Sequence, residues 1–393
     1  MVTRTFLPDG RRFLYLSQTD QGSSVMVASL DGGPAVRFVA STSVAQYSQG
    51  YLLYLNGTTL TAQPFDPDTL RLGAQAVSVI ANVKTEPQGG AAAFSASASG
   101  TLVYMTGTSP TFEMSWFDRA GRKGAAVSEP GPWIQMALSP DDRQLAVQRG
   151  ATVVSDLWLF DLVRSVSSKF TTDGGDNGPV WAPDGQTLAF RNHRRTTNEV
   201  YRKPLGGGDA AAWNGIPAER LEDWSRDGRY LLMGRVTGGL LVVPLTGQTT
   251  PIVANASSAN IDESQFSPDG RWISYFSSLS GRSEIYVQPF PGPGERVTVS
   301  SSGGVQAKWR GDGKELFYLT RDGTMMAVDV RPGTRLDLGT PRPLFTTRLR
   351  PNSALDQYVV TADGQRFIVM EPPIDAPPDA MTIVTNWTTL LKK

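Results

Sequence analysis

Apolar residues along this chain fall in short runs of alternating or continuous hydrophobicity, and no long stretch shows the 3.6-residue period of a helix. Each strong run follows a glycine turn at a fixed distance. FLPDGRRFLYL, SPDDRQLAV, WAPDGQTLAF, WSRDGRYLLM, FSPDGRWISYF, WRGDGKELFYL and TADGQRFIVM are copies of one unit, and YSQGYLLYL and SASGTLVYM are weaker copies in the gaps. With the glycine as anchor, the copies sit at positions 10, 50, 100, 142, 185, 228, 270, 313 and 364, Asp142 standing in the glycine slot. Most successive anchors are 42 or 43 residues apart.

The third and fifth positions after the anchor are apolar in every copy, from Phe13 and Tyr15 to Phe367 and Val369. Apolar residues two apart, with the intervening position often apolar too, describe strands buried on both faces or nearly so. Four positions before the anchor stands an aromatic in five copies: Phe6, Trp181, Trp224, Phe266 and Trp309. A fixed phase of this kind predicts burial at matching heights between sheets. Ser267-Pro268-Asp269-Gly270 reads as a turn: Pro presets φ, Asp bonds nearby backbone, and Gly takes positive φ. Further apolar runs downstream, such as SEIYVQPF and TMMAVDV, followed by weaker ones such as RVTVS, make four strands per unit.

Four strands every 42 to 43 residues is the spacing of a β-propeller blade. The fold expected is all-β, a single propeller of four-stranded blades over residues 1–393, with units near 1–42, 43–90, 91–131, 132–175, 176–217, 218–259, 260–302, 303–352 and 353–393. One ring of nine units is the preferred reading, and eight blades plus an irregular unit the alternative. Neither end has an obvious spare strand to lend, so the last blade is expected to be three-stranded.

The unit best seen in FSPDGRWISYFSSLSGRSEIYVQPF resembles the WD-like repeat of TolB-type propellers, over essentially the whole chain. The run FPGPGERVTVSSSGGVQAKWRGDGKELFYL and the ending TIVTNWTTLLKK are similar to the propeller region that follows the kinase domain and membrane helix of bacterial eukaryotic-like serine/threonine kinases. That resemblance implies a sensor or interaction module, extracytoplasmic if it matches the kinase-fused proteins and cytoplasmic otherwise. The kinase part itself is missing: there is no Gly-rich loop with V-A-I-K, no H-R-D-x-x-x-x-N and no D-F-G.

Composition narrows the chemistry. The 37 Lys and Arg balance 37 Asp and Glu, so nothing steers the chain toward nucleic acid. No window approaches a membrane span and the N-terminus lacks the apolar core of a signal peptide. Cys is absent and His193 is the one histidine, which removes thiol chemistry and multi-histidine metal sites; no metal or cofactor is expected. A G-x-S-x-G elbow is also lacking.

Two clusters remain. Asp176, Glu222, Asp223, Asp262, Glu263 and Asp356, with Asn177, Gln135, Gln306 and Gln357, fall at the entry to the innermost strands and converge on one mouth of the channel, the top face. They read either as a ligand site for a cation or basic peptide or as solvation of the channel mouth. Arg191, His193, Arg194 and Arg195 read either as an anion contact or as a solvated hairpin tip. The function expected is a non-catalytic binding or sensor propeller, its partner an unknown protein, peptide or small ligand at the top face. The alternative is a glycan-processing enzyme using paired carboxylates such as Glu222/Asp223 and Asp262/Glu263, with Trp213 the one evident aromatic to hold a sugar.

Overall fold

In the computed structural model the described residues are all except 1–4, 20–21, 86–91, 108–110, 152–153, 193–198, 218, 236, 248–249, 257–260, 293, 332, 334, 353–354, 376–379 and 393. The described residues form antiparallel β-sheets and one short 3-10 helix, Trp387–Lys392. They divide into two compact units, residues 1–110 with 375–393, and residues 111–374.

The larger unit holds six sheets, I to VI. Their innermost strands are Trp133–Leu138, Asp176–Trp181, Arg220–Trp224, Ile261–Phe266, Val305–Trp309 and Tyr358–Val360. Each innermost strand adjoins the next, and Tyr358–Val360 adjoins Trp133–Leu138, so the six form a closed cycle. The seam lies in sheet VI. There Arg366–Glu371 pairs antiparallel with Glu113–Asp118 from the other end of the unit, six residues in register from Glu113 opposite Glu371 to Asp118 opposite Arg366. Building one sheet from both ends ties the first and last strands of the unit together through a hydrogen-bonded ladder.

Apolar clusters seal every junction of the cycle. Leu145 and Val147 of sheet I meet Ile368 and Met370 of sheet VI, Leu231 and Met233 of sheet III meet Val180 and Ala189 of sheet II, and Ile273 and Tyr275 of sheet IV meet Leu232 and Val242 of sheet III. The third and fifth positions of the repeat are at most 2% exposed in all six copies of this unit. Of the aromatics before the anchor, Trp181, Phe266 and Trp309 are buried, Trp224 is half-buried against Trp213, and Phe6 is exposed. The turns are built as their residues predict: at the Ser267 turn, Ser267 Oγ donates to Asp269 Oδ1 at 2.6 Å, Asp269 accepts the Arg271 N–H, and Gly270 has φ of 70°.

The smaller unit holds three sheets. Sheet A comprises Thr5–Phe6, Arg12–Thr19, Gly22–Ser29 and Val36–Ala40; sheet B lies within 46–80; sheet C joins Phe94–Ala96 and Leu102–Met105 to the C-terminal strand Met381–Val384. Trp387 of the 3-10 helix is fully buried among Leu53, Leu55 and Leu102, and its Nε1 donates to Ser48 Oγ at 2.9 Å.

The single ring of nine units is therefore corrected. The described residues form nine sheets, but the pairing of 113–118 with 366–371 closes six of them on themselves. The expected units 91–131 and 353–393 do not stay whole either, because each lends strands to both mixed sheets. The reading that the C-terminus had no strand to lend missed Met381–Val384, which is short and flanked by Pro and Asp.

Candidate functional site

An innermost propeller strand has a neighbour on one side only, so its channel-side N–H groups need acceptors from elsewhere. In the six-sheet unit polar side chains of one innermost strand supply them to the next. Glu222 Oε2 accepts the Ser264 N–H at 3.1 Å, Asp223 Oδ2 the Phe266 N–H at 2.8 Å, Glu263 Oε2 the Gln306 N–H at 2.7 Å, Gln265 Oε1 the Trp309 N–H at 3.2 Å, and Gln306 Oε1 the Gln357 N–H at 2.8 Å.

A register shift in the innermost strands of sheets I to V aims these side chains. Three residues before the aromatic, Gly178, Glu263 and Gln306 take the same left-handed conformation, with φ of 61°, 52° and 58°. For Glu263 and Gln306 this costs roughly 1 kcal/mol apiece, and the bonds to the next strand offset it.

The chain's expected acidic cluster is thus brought together in part. Glu222 and Asp262 share Arg220, whose Nε lies 3.3 Å from Glu222 Oε1 and whose second guanidinium nitrogen lies 3.0 Å from Asp262 Oδ2. Lys308 Nζ pairs with Asp356 Oδ1, and Gln306 Nε2 donates to Gln357 Oε1 at 3.1 Å. Asp176 stands apart, accepting from Asn192 Nδ2 at 2.6 Å. Asn177 is buried beside it, and Gln135 Nε2 donates to Gln148 Oε1 at 2.7 Å. Arg191 is not at a hairpin tip as expected: it lies within the strand Thr187–Asn192, and among the described residues its Nε has no hydrogen-bond partner. His193, Arg194 and Arg195 lie outside the described residues.

Burial sets the electrostatics. It pushes the Asp223 carboxyl up to about 7 and Asp176 to about 6. Glu222 and Asp262 are raised by burial, with Arg220 opposing, and Glu263 is raised well above its ordinary value by burial and by Asp356. For Lys308, burial works against the charge, but Asp356, Glu263 and Asp223 outweigh it and raise its pKa. Burial and the neighbouring Arg220 lower Arg191.

A cavity of about 350 Å³ lies inside this unit. Glu222, Asp223, Lys308 and Asp356 supply its charged wall, Trp181, Trp224 and Trp309 its aromatic one. It reaches the turn tips at Pro140, Pro183, Arg226, Gly311 and Ala362, the end of the ring opposite the one where the sequence placed a ligand. Arg226 crosses between tips, donating to the Gly311 carbonyl at 2.8 Å. Asp176, Asp262 and Glu263 do not line this cavity. Lys308, Arg220 and Gln265 were missed by the sequence reading. A signal existed for two of them: Asp223, Gln265 and Lys308 each stand directly before the repeat's aromatic. Among the described residues no group of three acidic or histidine side chains is placed to hold a metal ion. Nor is any helix long and apolar enough to cross a membrane. Trp213, the expected sugar platform, packs against Trp224 with ring centroids 4.9 Å apart and planes tilted by 49°, and lies under Arg202.

The sequence matches no family model. Among solved structures, the chain is similar to a TolB-type protein from Agrobacterium tumefaciens, at 18% identity and a TM-score of 0.51, over 68% of this chain and 100% of that one. It is also similar to TolB from Acinetobacter baumannii (15%, TM-score 0.46, 76% and 82% covered) and to hydrazine synthase from Kuenenia stuttgartiensis (14%, 0.47, 77% and 94%). At these identities the likeness speaks to fold. The chain's structural neighbours are TolB-like β-propeller proteins.

Proposed function

We propose that this chain is a non-catalytic binding propeller whose six-sheet unit takes a ligand bearing an ammonium or guanidinium group into the cavity at the turn-tip end. The observation that carries the reading is the charged wall of that cavity. Glu222, Asp223 and Asp356 face it with Lys308 beside them and Arg226 at its turn-tip rim, and burial holds Asp223 half-protonated near neutral pH. Raised carboxyl pKa values measure negative charge short of compensation, and an entering cation supplies it while releasing a proton. A volume of about 350 Å³ suits a small ligand or a peptide side chain.

Binding is supported over glycan hydrolysis by how the acids are held. Glu222 and Asp223 each accept a backbone N–H from the next strand, and Glu222 and Asp262 share one arginine, so these carboxylates are engaged as hydrogen-bond acceptors and ion-pair partners. The likeness of residues 290–319 and 382–393 to kinase-linked propellers favours a sensor role beside a bacterial receptor-like serine/threonine kinase.

Titration calorimetry with arginine amide and with a short lysine-rich peptide tests this. Heat of binding is expected with at least one, increasing in affinity as pH rises through 7 and abolished in Asp223→Asn. Binding unchanged in that variant, or binding of acetylated lysine peptide equally well, would reject the site.

A further inference from the structure

The charges that line the cavity of the six-sheet unit are sorted by position. Glu222 and Asp223 belong to the innermost strand Arg220–Trp224, and Lys308, in Val305–Trp309, pairs with Asp356. Arg226 and Asp142 lie instead on turns, at the tip-end rim.

Arg226 is held across the mouth. It leaves the turn of sheet III, and its Nη1 donates to the Gly311 carbonyl on the turn of sheet V at 2.8 Å. Sheet IV stands between these two in the cycle, so a side chain that joins their tips runs along a chord on the channel side of sheet IV. The far anchor is fixed in turn. The Gly311 N–H donates to the Ala362 carbonyl of sheet VI at 2.9 Å, and a Cβ at Gly311 would come within 2.6 Å of that oxygen, so glycine permits the approach.

This placement leaves Arg226 without a counter-charge. Asp227, next along the chain, accepts from Ser225 Oγ at 2.6 Å and lies 3.8 Å from Arg229, while Asp142 accepts the Ala362 N–H. Among the described residues no carboxylate forms an ion pair with Arg226. A guanidinium bonded through one nitrogen to a carbonyl keeps further donors in the planar fork that matches a carboxylate. Burial raises the Asp223 carboxyl, and Lys308 and Arg226 are among the groups that oppose it, which puts the rim cation within electrostatic reach of that acid. The aromatic wall adds no free donor. Trp181 Nε1 donates to the Ala137 carbonyl at 3.0 Å, Trp309 Nε1 to Ser274 Oγ at 3.0 Å and Trp224 Nε1 to the Gly228 carbonyl at 3.4 Å, so the three indoles offer the cavity apolar surface.

Resting on the cation site argued above, we propose that the ligand is a basic amino-acid residue with a free carboxylate: its side-chain cation meets Asp223, its aliphatic stem lies on the indoles and its carboxylate pairs with Arg226. A ligand bearing only a cation enters against the charge of Arg226. One that also carries a carboxylate meets opposite charge at both ends. Free arginine or lysine has this chemistry, and so has the C-terminal Arg or Lys of a peptide.

Calorimetry on the full chain with arginine and lysine, each beside its amide, tests this, because each pair differs only in the carboxylate. Wild type is expected to bind at least one free acid about five- to tenfold more tightly than its amide, the gain of a charge-assisted pair at a partly exposed rim. In Arg226→Gln the acid and the amide are expected to agree within about twofold, with the amide bound no more weakly than by wild type. Arg226 is exposed, so circular dichroism and the thermal midpoint of this variant are expected to match wild type. The tripeptide Gly-Gly-Arg separates the two sources: affinity equal to that of arginine supports recognition of a chain terminus, and a loss supports the free amino acid. Equal affinity of acid and amide for wild type overturns the proposal and leaves the cation site standing, as does an advantage that survives in Arg226→Gln. If none of the four binds, the proposal fails, and the lysine-rich peptide shows whether the cation site fails with it.

Discussion

The Asp223 carboxylate accepts the backbone N–H of Phe266 at 2.8 Å, tying the innermost strand of sheet III to that of sheet IV. Asp223→Ala leaves that N–H without its acceptor in a poorly hydrated wall, which costs about 1–3 kcal/mol, whereas Asp223→Asn keeps an acceptor and costs clearly less. Urea unfolding of both variants checks this. Equal losses would mean that the bond from side chain to neighbouring strand contributes nothing.

The repeat's aromatic is not equivalent in every sheet. Trp309 is 7% exposed and its Nε1 donates to Ser274 Oγ at 3.0 Å on the neighbouring sheet, while Trp224 is half-buried on the cavity wall. Trp309→Ala is expected to destabilise by about 3–5 kcal/mol, the usual cost of emptying a buried aromatic site. Trp224→Ala is expected to cost less, because Trp224 is only half-buried to begin with. Urea midpoints in the reverse order would put the second tryptophan in the core.

How far the sequence could be read follows from what repeats. Ser267 to Gly270, the apolar pair at Ile273 and Tyr275 and the aromatic at Phe266 recur in phase, because each unit meets the same local demands of turn, strand and inter-sheet packing. Ring closure is not local. Glu113–Asp118 reads as an ordinary third strand, and nothing in EMSWFD says that its partner is Arg366–Glu371, some 250 residues on. The site divides in the same way. Glu222, Asp223 and Asp356 were legible as acids at strand entries, but the register shift in the strand that carries Glu222 and Asp223 is a backbone feature, and the cavity lies at the end where the turns had seemed only structural.

Asp142 occupies the slot that glycine fills in the other anchors, with φ of 60°, and its Oδ2 accepts the Ala362 N–H at 2.9 Å across the junction between sheets I and VI. Two effects then oppose each other. Asp142→Gly relieves a left-handed residue, worth about 1 kcal/mol, and loses a bond of similar size, so its net change is expected within about 1 kcal/mol of zero. Asp142→Ala keeps the strain and loses the bond, and is expected to cost about 1–2 kcal/mol. Thermal or urea unfolding of the pair separates the contributions. If the alanine variant were as stable as the glycine one, the backbone at this turn would carry no strain.

The pH dependence follows from the direction of the shifts. Burial raises Asp223 to about 7 in the folded chain, against about 3.9 for a free aspartate. Below about pH 4 both folded and unfolded chains hold this proton, and the group adds no slope. Between about pH 4 and 7 the folded chain keeps a proton that the unfolded chain has released, so stability falls as pH rises; above 7 the loss is complete. At about 1.4 kcal/mol per unit the ceiling is about 4 kcal/mol, and roughly half of that is expected for a group that faces a cavity water can enter. Asp312, lowered to about 2 by its hydrogen bond to Arg310, works in the opposite sense and withdraws stability as pH falls below about 4. Maximum stability is therefore expected near pH 4 to 5 and a decline toward pH 8. In Asp223→Asn, which cannot ionise, the decline between pH 4 and 7 is expected to flatten. Urea midpoints across this range for both proteins decide it: a wild-type chain that gains stability toward neutrality, or a variant with the same slope as wild type, would mean that Asp223 is ionised in the fold and that the cavity wall already carries its full negative charge.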